Sequence, residues 1–209
     1  MAIINLKEKK IQVKIVYYGP GRSGKTTNLR YIFKKLQEKY GESLKSNLIS
    51  IDTKGERTLF LDFLPVGLGQ INGLDLNLQL YTTPGQVIYE STRKLVLRGV
   101  DGVVFVADSL ATRKEANVES YQNLLTNLKE YGLTTEDIGL AFQWNKQDLQ
   151  EKGIPVMDAK SMEDLLQVGQ DVPTFSASAL QGTNVLKTLN IVAKLTVSKV
   201  LKKMIGIEG

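Results

Sequence analysis

The eight residues Gly19-Pro20-Gly21-Arg22-Ser23-Gly24-Lys25-Thr26 constrain this chain more than any others. They meet the pattern G-x-x-x-x-G-K-[ST] at every defined position. Residues 11–18 before them are rich in β-branched and aromatic side chains and read as a strand. Residues 25–40 after them carry Leu29, Ile32, Phe33 and Leu36 at helical spacing, with Gly41 as the stop. In a strand–loop–helix setting, such a loop wraps phosphate in backbone N–H groups, aided by the partial positive charge of the helix N-terminus. Lys25 would reach the β- and γ-phosphates, and the Thr26 hydroxyl would ligate Mg²⁺. The bland alternative is a glycine-rich turn that opens a helix for packing reasons alone, and it leaves the eight-residue match unexplained.

The rest of the chain alternates strands and helices. Leu74, Leu76, Leu78 and Leu80 interleave with Asp75, Asn77 and Gln79, so residues 74–81 read as a strand covered on one face. Residues 58–66 read as its antiparallel neighbour. Residues 102–107 are continuously apolar and read as a central strand covered on both faces. Helices are expected over 111–131, 161–168 and 184–204, and further strands over 138–144 and 172–177. This order predicts an α/β fold: three α/β/α layers around a mostly parallel six-stranded sheet with one antiparallel edge strand. A chain of 209 residues without repeats or linkers is expected to form a single domain over 1–209, with its core over 11–204.

Two absences narrow the chemistry. The chain has no Cys, which excludes disulfides, cysteine metal sites, a thiol nucleophile and prenyl or palmitoyl anchors. It has no His, which excludes a His-based triad. The net charge of +5 suits an anionic ligand, and both signs are spread along the chain, so no nucleic-acid partner is expected. No apolar run is long enough to span a membrane, and the first residues carry neither a signal-peptide core nor a myristoylation glycine. These features predict a cytoplasmic protein.

Asn145-Lys146-Gln147-Asp148 follows the second buried strand, on the sheet edge where a base would lie. Asp148 can accept hydrogen bonds from N1–H and the 2-amino group of guanine. Adenine offers neither donor and would leave the carboxylate unpaired, at a cost of ~1–3 kcal/mol. Ser178-Ala179-Leu180, after the last strand, is the weaker match, to a loop whose N–H meets guanine O6. The neighbouring Ser176-Ala177-Ser178 leaves its register open.

Thr82-Thr83-Pro84-Gly85-Gln86 closes the alternating strand, where Ras-like GTPases read D-x-x-G-Q. Gly85 would give its N–H to the γ-phosphate and Gln86 would orient the attacking water. Arg57 is either a source of positive charge at the transition state or a surface cation paired with Glu56 or Asp62. Thr53 and Thr58 compete as the switch threonine. With Val16-Tyr17-Tyr18 before the phosphate loop, residues 56–65, Thr82 to Gln86, and Leu97-Arg98-Gly99-Val100-Asp101-Gly102, the chain resembles the MglA family of bacterial Ras-like GTPases over nearly its whole length.

The resemblance implies a P-loop NTPase of Ras-like fold that hydrolyses GTP to GDP with Mg²⁺. Thr82 in place of the Ras aspartate is then a family feature, and Mg²⁺ lacks that outer support. The resemblance implies that Arg57 is an arginine finger supplied in cis, and that Thr58, with Thr26, meets the metal. The implied catalytic set is Gln86, Arg57 and Lys25. The implied nucleotide-binding set is Gly19, Gly21, Ser23, Gly24, Lys25, Thr26, Thr27, Thr58, Gly85, Asn145, Lys146, Asp148, Ser178, Ala179 and Leu180.

By the same resemblance the protein is a polarity and motility switch, recruited to cell poles. Effectors read its GTP form, and a homodimeric roadblock/LC7-type partner of the MglB kind accelerates hydrolysis. Segments 45–70 and 83–95 would be the parts that move as the γ-phosphate comes and goes. Two other readings stay open: a nucleotide-gated scaffold with negligible hydrolysis, and an ATP-using P-loop kinase. Gln86 and Arg57 oppose the first, and Asp148 opposes the second. Lys194, Lys199, Lys202 and Lys203 on the last helix read as a solvated face, with peripheral contact to anionic lipid as the sharper alternative. Arg93, Lys94 and Arg98 are also read as a solvated helix face, with contact to a partner as the alternative.

Overall fold

The computed structural model describes residues 2–5, 8–41, 49–51, 61–71, 73–85 and 89–205. The strand after the chain start, β1 (Ile3–Asn5), pairs antiparallel with β2 (Lys10–Tyr18). The helix α1 (Lys25–Tyr40) follows the phosphate loop and ends at Gly41. Then come β3 (Ile49–Ile51), β4 (Leu61–Ile71), β5 (Leu74–Thr82) and α2 (Glu90–Leu97). The second half runs β6 (Gly102–Asp108), α3 (Lys114–Glu130), β7 (Gly139–Asn145), α4 (Ala159–Leu166), β8 (Thr174–Ser176) and α5 (Val185–Ile205).

The sheet order is β3-β4-β5-β2-β6-β7-β8. From β5 to β8 every neighbour is parallel, and β4 lies antiparallel on β5. The predicted six strands with one antiparallel member are thus present, flanked by the short β1 and β3. β4 extends past residue 66 to Ile71, and the register shift between Gly67 and Gln70 absorbs the extra length. The expected start of that strand at 58–60 lies outside the described residues. The strand expected over 172–177 shortens to Thr174–Ser176, because Pro173 has no N–H for a ladder. The helix expected over 111–131 opens with a 3₁₀ turn, Ala111–Arg113. The helix expected at 161–168 begins earlier, at Ala159, where the Asp158 carboxylate accepts from Ser161 N–H at 2.8 Å.

Strand periodicity sorts the core into two faces. Ile11, Val13, Ile15 and Tyr17 of β2 pack with Val104 and Val106 of β6 beneath α1 and α5. Val16, Tyr18, Val103, Phe105 and Ala107 point the opposite way, into the layer of α2, α3 and α4. All seven residues of β6 and all seven of β7 are buried, as parallel strands covered on both faces require.

α5 lies close on β6 and β7 because both begin with glycine. A Cβ at Gly139 would come within 2.7 Å of the Thr196 backbone nitrogen, whereas one at Gly102 would meet the Thr196 side chain. Lys194 and Lys202 of α5 are solvated as expected, while Lys199 and Lys203 donate to the carbonyls of Glu136 and Asp137.

The surface reading of Arg93 is overturned. Arg98 is exposed and Lys94 pairs with Glu130 at 2.8 Å, but Arg93 is only 3% exposed. It falls on the face of α2 that packs on α3, and its Nη1 donates to Asn123 Oδ1 at 2.7 Å. Charge alone did not distinguish the two faces of an eight-residue helix.

Ala substitution at either strand-initial glycine is expected to destabilise the protein by about 1–3 kcal/mol through overpacking. The rescue should differ. Thr196→Ala should restore most of the loss in Gly102→Ala and little of that in Gly139→Ala, where the clash is with backbone. Urea unfolding of the single and double variants reads this directly.

Candidate functional site

The chemistry-bearing loops emerge together at the carboxyl ends of β2, β5, β6, β7 and β8. The loop after β2 turns through Gly19 at φ +141° and Gly24 at φ +101°. Gly19 lies against β6: a Cβ there would run into the Val106 carbonyl. Lys25 is buried, and its Nζ donates to Gly19 O at 2.8 Å and Pro20 O at 2.7 Å. The ammonium group therefore fills the concavity of its own loop.

A cavity of about 240 Å³ opens beside it, lined by Arg22, Gly24, Lys25, Thr26, Thr27, Thr82, Thr83 and Gly85 among others. Thr82 and Thr83 are buried, and the Thr83 N–H donates to Tyr17 O at 3.1 Å. Gly85 packs so closely on the loop that a Cβ would collide with Gly21. Ser23 Oγ is buried without a partner among the described residues. The described residues hold no group of three or more carboxylates or other metal ligands. The lining of hydroxyls and a lysine fits Mg²⁺ in only one way, through Thr26 and the oxygens of a bound phosphate. It does not make an all-protein cage.

Asn145 ends β7 and is 2% exposed. Its Nδ2 donates to Ser23 O at 2.7 Å, and its Oδ1 accepts from Ala179 N–H at 2.7 Å. One amide thus ties the phosphate loop to the loop after β8. The Ala177 N–H is used by Trp144 O at 2.8 Å, and Ser178 closes a tight turn with Thr183 at 3.2 Å. The Ala177 N–H is thus spent within the sheet and the Ala179 N–H on Asn145, and Leu180 is exposed.

Lys146 adopts a left-handed conformation at φ +75° and donates to Asp108 Oδ2 at 2.6 Å. Asp108 is buried, and Asn117 clamps its backbone with bonds of 2.9 and 2.8 Å. Arg113 Nε lies 3.7 Å from the same carboxylate, and its Nη2 donates to Gly21 O at 3.0 Å. This second bridge to the phosphate loop was missed in the sequence. Its only trace is an acidic residue at the end of an apolar strand, which does not identify its partners.

Asp148 sits in the 3₁₀ turn Gln147–Lys152. It is 7% exposed, and its carboxylate has no hydrogen-bond donor among the described residues. Of the expected site residues, the structure gathers Gly19, Gly21, Ser23, Gly24, Lys25, Thr26, Thr27, Gly85, Asn145, Lys146, Asp148, Ser178, Ala179 and Leu180 onto these loops. Arg57, Thr58, Gln86 and the competing Thr53 lie outside the described residues.

Comparison with known proteins agrees with this geometry. The Ras family profile matches residues 14–198. The chain is 46% identical over 204 residues to the mutual gliding-motility protein MglA of Myxococcus xanthus, covering 97% of this chain and 99% of that protein. It is 23% identical to the Ras-related protein RABG3f of Arabidopsis thaliana, covering 89% and 82% of the two chains. The Ypt/Rab-type GTPase ypt7 of Schizosaccharomyces pombe is 24% identical, with coverage of 90% and 83%.

Asn145→Ala removes both amide hydrogen bonds and strands a buried carbonyl and a buried N–H. It is expected to destabilise the fold by about 1–3 kcal/mol. Asn145→Asp keeps the acceptor for Ala179 but sets a carboxylate against the Ser23 carbonyl, so it should be no better. Urea midpoints without added nucleotide measure both.

Proposed function

The chain belongs to the Ras family, in the branch of MglA, and on that premise we propose that this GTPase is a polarity and motility switch read through its GTP and GDP forms. The observation that carries the guanine part of this reading is Asp148. An acceptor-only carboxylate, 7% exposed and accepting from no donor among the described residues, is placed to take donors from a ligand. The N1–H and 2-amino group of guanine supply two. Lys146, fixed by Asp108, flanks the base plane, and Asn145 holds the base loop and the phosphate loop at one spacing. The loop Ser178-Ala179-Leu180 closes over guanine O6.

At the other end, the loop from Gly19 to Thr27 cradles the phosphates and Lys25 neutralises the β- and γ-oxygens. Mg²⁺, held through Thr26 and Thr58 with phosphate oxygens, would supply charge neutralisation at the bridging oxygen. Gln86 orients a water in line with the γ-phosphorus, and Gly85 N–H steadies a γ-oxygen. The water oxygen bonds to phosphorus while the β–γ bridge breaks, leaving GDP and phosphate. Arg57 stabilises the charge that spreads over the equatorial oxygens, an effect worth roughly 10³–10⁵ in rate in related enzymes.

The chain acts as a single domain. A roadblock/LC7-type partner accelerates hydrolysis, and effectors engage the GTP form at cell poles. Among the described residues no helix is long and apolar enough to cross a membrane.

Turnover of GTP by the purified protein with Mg²⁺ is expected to be slow, roughly 10⁻⁴–10⁻³ s⁻¹, and faster with the roadblock partner. Gln86→Ala and Arg57→Ala should each abolish the acceleration. Tight GTP binding with no turnover in any condition would make the protein a nucleotide-gated scaffold instead. Asp148→Asn should shift preference from GTP towards XTP, and retained GTP selectivity would overturn the guanine assignment. A Cβ at Gly21 would sit 3.5 Å from the Gly85 carbonyl. Gly21→Val should therefore still bind GTP yet hydrolyse it poorly, as single-turnover kinetics would register.

A further inference from the structure

The Gly21 carbonyl is held from outside the phosphate loop. It accepts from Arg113 Nη2 at 3.0 Å. The two carbonyls before it, those of Gly19 and Pro20, accept from Lys25 Nζ, a group that the phosphates also claim on the function proposed above. Arg113 comes instead from the 3₁₀ turn before α3. Its bond to Gly21 therefore uses no group that the nucleotide needs. The turn that carries Arg113 is braced: Asp108 Oδ1 accepts from Leu110 N–H at 3.2 Å, and Leu110 O accepts from Arg113 N–H at 2.9 Å.

The peptide held in this way has two special features. Arg22, the next residue, adopts φ +65°, a left-handed conformation that a non-glycine residue keeps only where its surroundings impose it. Gly21 also bears directly on Gly85: a Cβ on Gly85 would lie 2.2 Å from Gly21 Cα. The bond between Gly21 and Arg22 is trans, so the Arg22 N–H points away from the carbonyl that Arg113 holds. Arg22 itself lines the cavity beside Lys25.

From this we infer that Arg113 is a positioning residue for GTP hydrolysis, pinning the Gly21–Arg22 peptide with its carbonyl turned outward and its N–H turned to the phosphates. The inference rests on the GTPase reading above. Without Arg113 the peptide can rotate, and a rotated peptide sets a carbonyl oxygen against a polyanion. The fault would lie where Gly21 meets Gly85, at the γ-phosphate end. The rest of the loop keeps its own anchor, the bond from Asn145 Nδ2 to Ser23 O. Hydrolysis therefore suffers more than retention of GDP. Loss of Arg113 also leaves the buried Asp108 carboxylate paired, because Lys146 lies 2.6 Å from it and Arg113 Nε only 3.7 Å. The Arg113 side chain is 36% exposed, so little packing goes with it.

The test is single-turnover hydrolysis by the full chain loaded with GTP and Mg²⁺, beside release of a fluorescent GDP analogue. Arg113→Met keeps a long stem and loses every donor. It should hydrolyse GTP roughly tenfold more slowly, the loss of about one hydrogen bond from a charged group. Its release of the GDP analogue and its urea midpoint should stay at the wild-type values. Arg113→Lys, whose ammonium can still donate to the Gly21 carbonyl, should recover most of the rate. The deficit of Arg113→Met should persist in roughly 0.5 M KCl, which screens a distant charge but not a hydrogen bond at contact. An unchanged hydrolysis rate in Arg113→Met overturns the inference. So does a matching acceleration of GDP release, which would make Arg113 a brace of the whole site. No gain in Arg113→Lys over Arg113→Met, or a deficit that salt abolishes, overturns it as well. If the wild-type protein itself does not turn over GTP, the GTPase reading fails and this inference falls with it.

Discussion

One side-chain amide, that of Asn145, sets the distance between the two ends of the nucleotide site. It has one donor face and one acceptor face, and it spends them on different loops: the Ser23 carbonyl and the Ala179 N–H. Asn145 itself sits on a strand whose seven residues are all buried, so it has little freedom to shift. A rigid strand thus transmits its position to two loops that have no regular structure of their own. The second bridge, Lys146 to Asp108 to Arg113 to Gly21, runs parallel to the first and is ionic where the first is neutral. Its buried carboxylate stands between two cations, the arrangement in which a buried charge is tolerated.

Such precision depends on the layers beneath. Alternation along β2 and β6 divides the core cleanly, and the same alternation aims Tyr17 at one face and Tyr18 at the other. Both phenols are buried deeply enough that their pKa values rise above the ordinary range. Tyr18 is the informative one. Its hydroxyl donates to Asn123, which also receives Arg93 and donates to Glu90 at 2.8 Å. The cluster adds hydrogen bonds to the apolar contacts that join β2, α2 and α3. It fixes one face of α2, the helix after Gly85, to α3. The α1 and α5 side is tied by apolar packing and by the Asn28–Gln143 amide pair at 2.8 and 3.0 Å.

Where a physical pattern is local, the sequence made it legible. Residues 25–40 form the expected helix because spacing and a terminal glycine agree. The leucine alternation of 74–81 became a strand with Leu76, Leu78 and Leu80 buried. The phosphate loop and the Asn145–Asp148 loop were readable because their chemistry fixes residue type and spacing together. What was not legible depended on partners far along the chain. The burial of Arg93 is decided by Asn123, thirty residues on. The role of Arg113 is decided by a carbonyl ninety-two residues before it. Only the fold reveals that the N–H groups of Ala177 and Ala179 are both taken, by Trp144 O and Asn145 Oδ1.

Thr82 shows how the two halves of the site differ in kind. At the proposed base end, Asp148 is an almost buried carboxylate that accepts from no donor among the described residues. At the phosphate end, the described lining contributes hydroxyls, Lys25 and Arg22, but no carboxylate. A threonine there adds no negative charge to a region that must accept a polyanion. Electrostatic attraction to phosphate is then stronger than it would be with aspartate in that place, while direct protein support for a metal is weaker. On the function proposed here, a metal would be held chiefly through the phosphates of the bound nucleotide, which would partly separate metal affinity from nucleotide affinity.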